Sequence, residues 1–265
     1  MSERALVFGS AADAYERYRF GYPADLADAI LGYARPPIEA AVDIGAGTGK
    51  ATRLFADRPI DITAVEPDPA MIEAGVRAGV WHQAGATGPE NAAAGPVHAV
   101  QATLESFRTD RTFDLLFAGA AWHWTAPDTR WDRTAALLRS GGTVALFGGP
   151  TRLADPELRE RYQAAQRSAG VEADVPPPGP PSTAGMQWPG TEMEADTRFT
   201  DVEQHPIERS LTVDADHYGA QLGTLSAFLM LPVDRRLELL QEIREFLPAA
   251  VVLESQLTLH LARRC

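Results

Sequence analysis

The stretch Val42–Lys50, "VDIGAGTGK", constrains this chain more than any other. A short apolar run ends in three glycines on alternate positions, Gly45, Gly47 and Gly49. Glycine takes positive φ without a steric penalty and lets a backbone approach a ligand closely. Such a turn between a strand and the next element is where open parallel sheets bind ligands, at the carboxyl ends of their strands.

The surrounding pattern agrees with that setting. "AAVDIG" (Ala40–Gly45), "DITAVE" (Asp61–Glu66), "VHAVQA" (97–102), "FDLLFAG" (Phe113–Gly119) and "TVALFG" (Thr143–Gly148) read as strands. Helices read over Thr48–Ala56, from cap Asp68 and Pro69 through Ala78, and over Trp131–Arg139 until Ser140-Gly141-Gly142 stops them. Residues 80–96 read as a surface loop. The alternation predicts a parallel sheet covered on both faces.

Outside that core, residues 11–34 read as two helices around Gly21-Tyr22-Pro23. The proline-rich Val175–Gly190 reads as a linker or lid. Two late strands, 201–213 and 251–264, flank a helical stretch from Ala215 to Leu247 that breaks near Leu231-Pro232.

Composition removes several classes. Acids outnumber bases 36 to 24, for a net charge of -12, and no basic stripe is visible, so no nucleic-acid partner is expected. The single cysteine, Cys265, allows no intrachain disulfide and no cysteine metal site. His205, His217 and His260 show no ligand spacing with each other or with carboxylates, and His82 and His98 read as surface or structural residues, so no metal is expected. The opening residues lack a signal-peptide pattern and no apolar run approaches the ~20 residues of a membrane span. A cytoplasmic protein without a membrane partner is the expectation.

The glycine spacing selects the ligand. A dinucleotide fingerprint is G-x-G-x-x-G and a P-loop ends in Lys-Ser/Thr, whereas here the pattern is G-x-G-x-G and Ala51 follows Lys50. Asp43, just before the turn, would repel a phosphate and suits a positive group. Glu66 ends the second strand about 20 residues on, where an acid takes both hydroxyls of a ribose. The ligand therefore carries a ribose and a positive group, without need of a pyrophosphate.

"VDIGAGTGKATRLFA", "ITAVEPDPAMIEAG" and "FDLLFAGAAWHWTAPDTRWDRTAALLRSGGTVALFG" in this order resemble class I S-adenosylmethionine-dependent methyltransferases, of the type 11 small-molecule group. The resemblance covers roughly residues 8–148 and is looser beyond. It implies a Rossmann-like α/β fold with a seven-stranded, mostly parallel sheet and helices on both faces. One domain over 1–265 is implied: an N-terminal helical lid (1–36), a cofactor-binding core (37–150) and a C-terminal part (151–265) that completes the sheet and adds a helical insertion over the substrate.

The resemblance also implies site residues. Asp43, Gly45, Ala46 and Gly47 would surround the methionine part of S-adenosylmethionine. Glu66 would hold the ribose, with Pro67, Asp68 and Met71 at the adenine and Thr103, Leu104 and Glu105 at its edge. Ala118 and Gly119 would line the methionine end. "YERYRFGYP" resembles a segment that folds over the cofactor, which brings in Tyr15, Tyr18 and Arg19, the last as a fork for the cofactor carboxylate.

Methyl transfer from a sulfonium needs alignment and exclusion of water, plus a base where the acceptor is a hydroxyl or a protonated amine. His123 is the candidate base, between the pocket-wall candidates Trp122 and Trp124; a hydrogen-bonded structural histidine is the other reading. Tyr218 and Thr224, in "HYGAQLGTLSAFLML", are further pocket candidates. The expected activity is methyl transfer to a small molecule, oxygen ahead of nitrogen or carbon. Rivals are a cyclisation or rearrangement in the same pocket, or a nicotinamide-dependent oxidoreductase. Oligomeric state is left open.

Overall fold

Five parallel strands make the centre of the sheet: β1 (Ala40–Ile44), β2 (Asp61–Glu66), β3 (Val97–Gln101), β4 (Phe113–Gly119) and β5 (Leu138–Gly148), in the order β3-β2-β1-β4-β5. The computed structural model describes residues 3–81, 95–171 and 185–265. Most of the loop expected at 80–96 and of the proline-rich stretch at 175–190 lies outside the described residues.

Side chains of a strand alternate between faces, and here each face has its own core. Leu116, Ala118, Val144 and Leu146 pack with Trp122, Trp131 and Met193. Leu115, Phe117, Ala145 and Phe147 pack with Leu26 and Ile30. A strand buried on both faces reads as a continuous apolar run, which is why "FDLLFAG" and "TVALFG" carry no alternation.

Three strands complete the sheet: β6 (Thr151–Leu153), β7 (Phe199–Asp214) and β8 (Ala250–Arg264). β8 runs antiparallel to β5 and β6 on one side and to β7 on the other. The described sheet thus has eight strands rather than seven. The additional strand, β6, continues the line of β5 after a break at Gly149-Pro150, and both pair with β8. At the break a Cβ on Gly149 would lie 2.0 Å from the Gln256 carbonyl oxygen, so the two backbones meet where no side chain fits.

The helices are α1 (Ala12–Tyr18), α2 (Ala24–Tyr33), α3 (Pro69–Arg77), α4 (Arg130–Leu137), α5 (Pro156–Ser168), α6 (Gly190–Ala195), α7 (Ala215–Leu222), α8 (Ser226–Leu229) and α9 (Val233–Phe246). Asp68 caps α3 through the Ala70 N–H, with Pro69 as its first residue. α7 and α9 pack on Leu211, Val251 and Leu253, where the β7–β8 pair extends past β5. No helix among the described residues is long and apolar enough to cross a membrane.

Two local expectations change. Thr48–Ala56 is a run of turns around a short 3-10 helix at Thr52–Leu54. There Thr48 and Thr52 spend their hydroxyls on Glu16 and Asp43, bonds that compete with helical geometry. β5 begins at Leu138, not Thr143: Leu138 pairs with Phe113, and a register shift absorbs Arg139–Gly142 before Thr143 meets Leu115.

Candidate active site

The connection from β1 runs to one side of the sheet, to β2 and β3, and the chain then returns to β4 on the other side. The strand order therefore reverses between β1 and β4, the place where such sheets leave a crevice at their carboxyl ends. A cavity of about 740 Å³, counting its open mouth, lies there.

The glycine turn forms one wall. Gly45, Gly47 and Gly49 all take left-handed φ, at 70, 60 and 86°. A Cβ on Gly45 would meet the Ala121 Cβ at 2.5 Å, so the turn sits hard against the segment after β4. The Gly45 and Ala46 N–H groups donate to the Val65 carbonyl at 2.9 and 3.1 Å.

Glu66 closes the end of β2 and is 7% exposed. Its Oε2 accepts the Gly47 N–H at 2.8 Å and its Oε1 the Asp68 N–H at 2.9 Å. Burial pushes its carboxyl up to about 7, against those two bonds. Asp43 is fully buried and also pushed up to about 7 by burial. Thr52 Oγ1 donates to its Oδ2 at 2.6 Å, while Oδ1 is buried without a hydrogen-bond partner among the described residues.

The cavity gathers residues far apart in sequence. Gly45, Gly47, Glu66, Pro67 and Met71 come from the first two strand ends. Thr103, Leu104 and Glu105 come from the segment after β3. Gly119 and Trp124 come from the fourth strand's end, and Tyr15 from α1. Phe8, Ala120, Ala121 and Thr125 join them, none of them singled out by sequence. Glu105 Oε1 accepts the Ala126 N–H at 2.7 Å, tying the segment after β3 to the one after β4.

Other expected site residues line neither this cavity nor the second one described below. Asp43, Ala46 and Ala118 are buried beside the turn or in the core. Trp122 packs against Trp131, ring centroids 5.0 Å apart, and His123 tilts against Trp124 at 4.4 Å. Tyr18 lies edge-on to His217, and Tyr218 is 2% exposed in the packing of α7. The wall at this point is Trp124, not Trp122, because the short 3-10 helix at Trp122–Trp124 turns the two rings to different sides.

A second cavity adjoins the first; Tyr15 and Ala120 line both. Ala120, at the junction, holds a left-handed φ of 52°, a conformation that costs a non-glycine residue about 1–3 kcal/mol and concentrates at functional sites. Arg19 lines this second cavity. Its Nε donates to Thr224 Oγ1 at 2.9 Å, linking the N-terminal segment to the turn after α7.

Glu16, on α1, was not visible as a site residue in the sequence. It accepts from Thr48 Oγ1 at 2.6 Å and pairs with Lys50 and Arg53 at 3.5 and 2.7 Å. These contacts clasp α1 onto the glycine turn.

A family model for the methyltransferase domain matches residues 42–146. That match runs from β1 to β5 and holds the glycine turn, Glu66 and the segment after β4. The chain is similar to an uncharacterized methyltransferase of Mycobacterium tuberculosis, 34% identical over 145 residues, which are 54% of this chain and 52% of that one. The chain thus spans about half the length of the curated relatives it matches. Among solved structures, a protein of Anaeromyxobacter dehalogenans, provisionally assigned as a type II methyltransferase, superposes with a TM-score of 0.62 at 22% identity, over 93% of this chain and 98% of that one. An S-adenosylmethionine-dependent methyltransferase of Geobacter sulfurreducens, solved with S-adenosylhomocysteine, gives 0.51 at 14% identity, over 95% and 96%. Both likenesses speak to the fold of this chain.

Proposed function

We propose that the chain transfers a methyl group from S-adenosylmethionine to a small molecule, with oxygen ahead of nitrogen or carbon as the accepting atom. The observation that carries this reading is Glu66: a buried carboxylate at the end of β2, bonded to the glycine turn and lining the cavity beside the first strand's end. The residues present fit the cofactor. Each Glu66 oxygen spends one lone pair on a backbone N–H and keeps another for a ribose hydroxyl. Met71, Leu104 and Pro67 offer the apolar walls an adenine needs. The unpartnered Asp43 Oδ1, buried behind the glycine turn, is an acceptor that a water shared with an ammonium in the cavity would satisfy.

When bound, S-adenosylmethionine supplies a methyl on positive sulfur: its carbon–sulfur bond breaks, the electron pair stays on sulfur, and a carbon–oxygen bond forms to the acceptor. The chain's work is placement. The glycine turn and Gly119 hold one end of the cavity, and the junction at Tyr15 and Ala120 opens toward the second cavity, where the acceptor sits. Phe8 and Tyr15, from the N-terminal lid, cover the opening against water. Arg19, which lines the second cavity, would pair with the cofactor carboxylate. His123 is assigned to fixing the Trp124 wall rather than to removing a proton. An acceptor oxygen already ionised at neutral pH needs no base.

Calorimetric titration with S-adenosylmethionine, S-adenosylhomocysteine and NADH tests the reading. Micromolar binding of the two adenosyl ligands and none of NADH is expected. Silence from both adenosyl ligands in a folded sample would sink it.

A further inference from the structure

The second cavity has a charge character unlike the rest of this acidic protein. Three cations line it, Arg19, Lys50 and Arg209, and no carboxylate does. Lys50 is engaged by Glu16, donating to its carbonyl at 2.8 Å and pairing with its carboxylate, shared with Arg53, at 3.5 Å. Arg209 is not: among the described residues no carboxylate lies within ion-pair distance of it. Its Nη1 donates to the Gly21 carbonyl at 2.6 Å, and its guanidinium stands 5.9 Å from the Phe20 ring centroid. One fixed bond and a ring hold the fork in place while most of its donors stay uncommitted. Asp25 acts on it from beyond ion-pair distance, and burial outweighs that help, so a half-buried cation without a direct partner is left for something else to satisfy.

A second, independent feature points to a ligand. Gln221, from α7, lines the same cavity and is 6% exposed. Its Oε1 is buried without a hydrogen-bond partner among the described residues. Buried amide oxygens are normally satisfied, so this acceptor is set for a donor that the protein does not provide. Phe20 and Tyr22 add flat apolar surface between these polar points.

We propose that the second cavity binds the methyl acceptor, and that the acceptor is a small organic anion whose carboxylate or phosphate is held by Arg209 while a hydroxyl or N–H of the same molecule donates to Gln221. Arg19 and Arg209 divide the cavity. Arg19, tied to Thr224 beside the junction residue Tyr15, serves the cofactor end; Arg209, on β7, serves the acceptor. The proposal rests on the methyltransferase reading for the word acceptor, but the anion site stands on its own residues.

The test is a set of anion–neutral pairs titrated calorimetrically, with and without saturating S-adenosylhomocysteine: the near-isosteric benzoate against benzamide and 4-hydroxybenzoate against 4-hydroxybenzamide, and phenyl phosphate against its neutral dimethyl ester. The anion of at least one pair should bind about tenfold tighter than its neutral partner, as expected of a charge-assisted contact. The carboxylate and phosphate arms decide which anion the fork prefers. Arg209→Gln should abolish that preference and leave S-adenosylhomocysteine affinity unchanged, and Arg209→Lys should retain part of it. Equal binding of anionic and neutral partners in every pair overturns the proposal, as does an anion preference that persists in Arg209→Gln. Anion binding lost on Arg209→Gln in a protein that ignores S-adenosylhomocysteine would uphold the anion site and overturn the cofactor reading alone.

Discussion

Glu66 and Gly47 are joined by a 2.8 Å hydrogen bond from the glycine N–H to carboxylate Oε2, so the acid that faces the cavity also pins the turn. Burial raises this carboxyl to about 7. A ribose hydroxyl donates best to the ionised form. Binding of S-adenosylhomocysteine should therefore release protons near pH 6–7. Affinity should fall about tenfold per pH unit below 7, the slope for one proton lost on binding. Calorimetry in buffers of different ionisation enthalpy reads the proton directly. Glu66→Ala in a folded protein should cost about 1–3 kcal/mol of cofactor binding, the range for a hydrogen bond to a charged group. Unchanged affinity would remove Glu66 from the site.

The same burial has a consequence for the protein without ligand. Asp43 and Glu66 are both raised to about 7, above their ordinary values of 3.8 and 4.5. The folded state thus holds protons that the unfolded state has already lost between about pH 4 and 7. Stability from these two groups is fully present below that window and declines as pH rises through it. Urea midpoints of the ligand-free protein should show this in the difference from Asp43→Asn: the wild type loses stability from pH 5 to pH 8 relative to the variant. A parallel pair of profiles would contradict the raised Asp43 carboxyl.

The three glycines are not equivalent. A Cβ on Gly49 would lie 2.4 Å from the buried Trp81 ring, whereas on Gly47 the nearest atom, Met71 Cε, is 3.5 Å away. Gly49→Ala combines overpacking against a rigid ring with left-handed strain, about 2–5 kcal/mol together. Gly47→Ala carries the strain alone, about 1–2 kcal/mol. Denaturant unfolding should rank Gly49→Ala well below Gly47→Ala. The reverse order would mean that Trp81 yields.

The parallel core was legible because its strands are apolar runs bounded by glycines and caps, and because period and turn chemistry agree there. Legibility fell where tertiary contacts decide. Thr48–Ala56 has helical composition, but Asp43 and Glu16 claim its threonines. α5 was readable in principle, since Asp155 and Pro156 repeat the cap pattern of Asp68 and Pro69, with Asp155 accepting from the Glu157 and Leu158 N–H groups. Most of the adenosyl-end residues expected from the motifs meet in one cavity because they sit at consecutive strand ends. Glu16 and Arg209 could not be read that way. Each acts across a contact between segments remote in sequence, and nothing local marks either one.

Glu16 supplies the next test. Burial raises its carboxyl, but Arg53, Thr48 and Lys50 outweigh that and hold it below its ordinary value. The clasp is therefore intact above the usual carboxylate range and is lost as pH falls through the lowered value. Glu16→Ala should release α1 from the glycine turn. Because the pair is partly exposed, global stability should change by no more than about 1 kcal/mol. Cofactor affinity should fall about threefold to tenfold, since Tyr15 and Phe8 reach the cavity from this segment. Faster proteolysis within residues 12–23 of the variant, suppressed by S-adenosylhomocysteine, would show that the segment closes over ligand. Unchanged cleavage and affinity would leave Glu16 a surface charge.

His123 is the last residue to settle. It sits one place before the cavity-lining Trp124, their rings 4.4 Å apart, but lines neither cavity itself. A base must reach the proton it removes, directly or through one water. His123→Ala, assayed with the acceptor that the anion-pair experiment identifies, should then keep turnover within about tenfold of wild type, well short of the larger losses typical of a missing base. Any loss should be the same at pH 6 and pH 8, because a wall residue does not titrate with the reaction. A fall of about a hundredfold or more, with loss of a pH dependence near the ordinary histidine range, would restore His123 as the base.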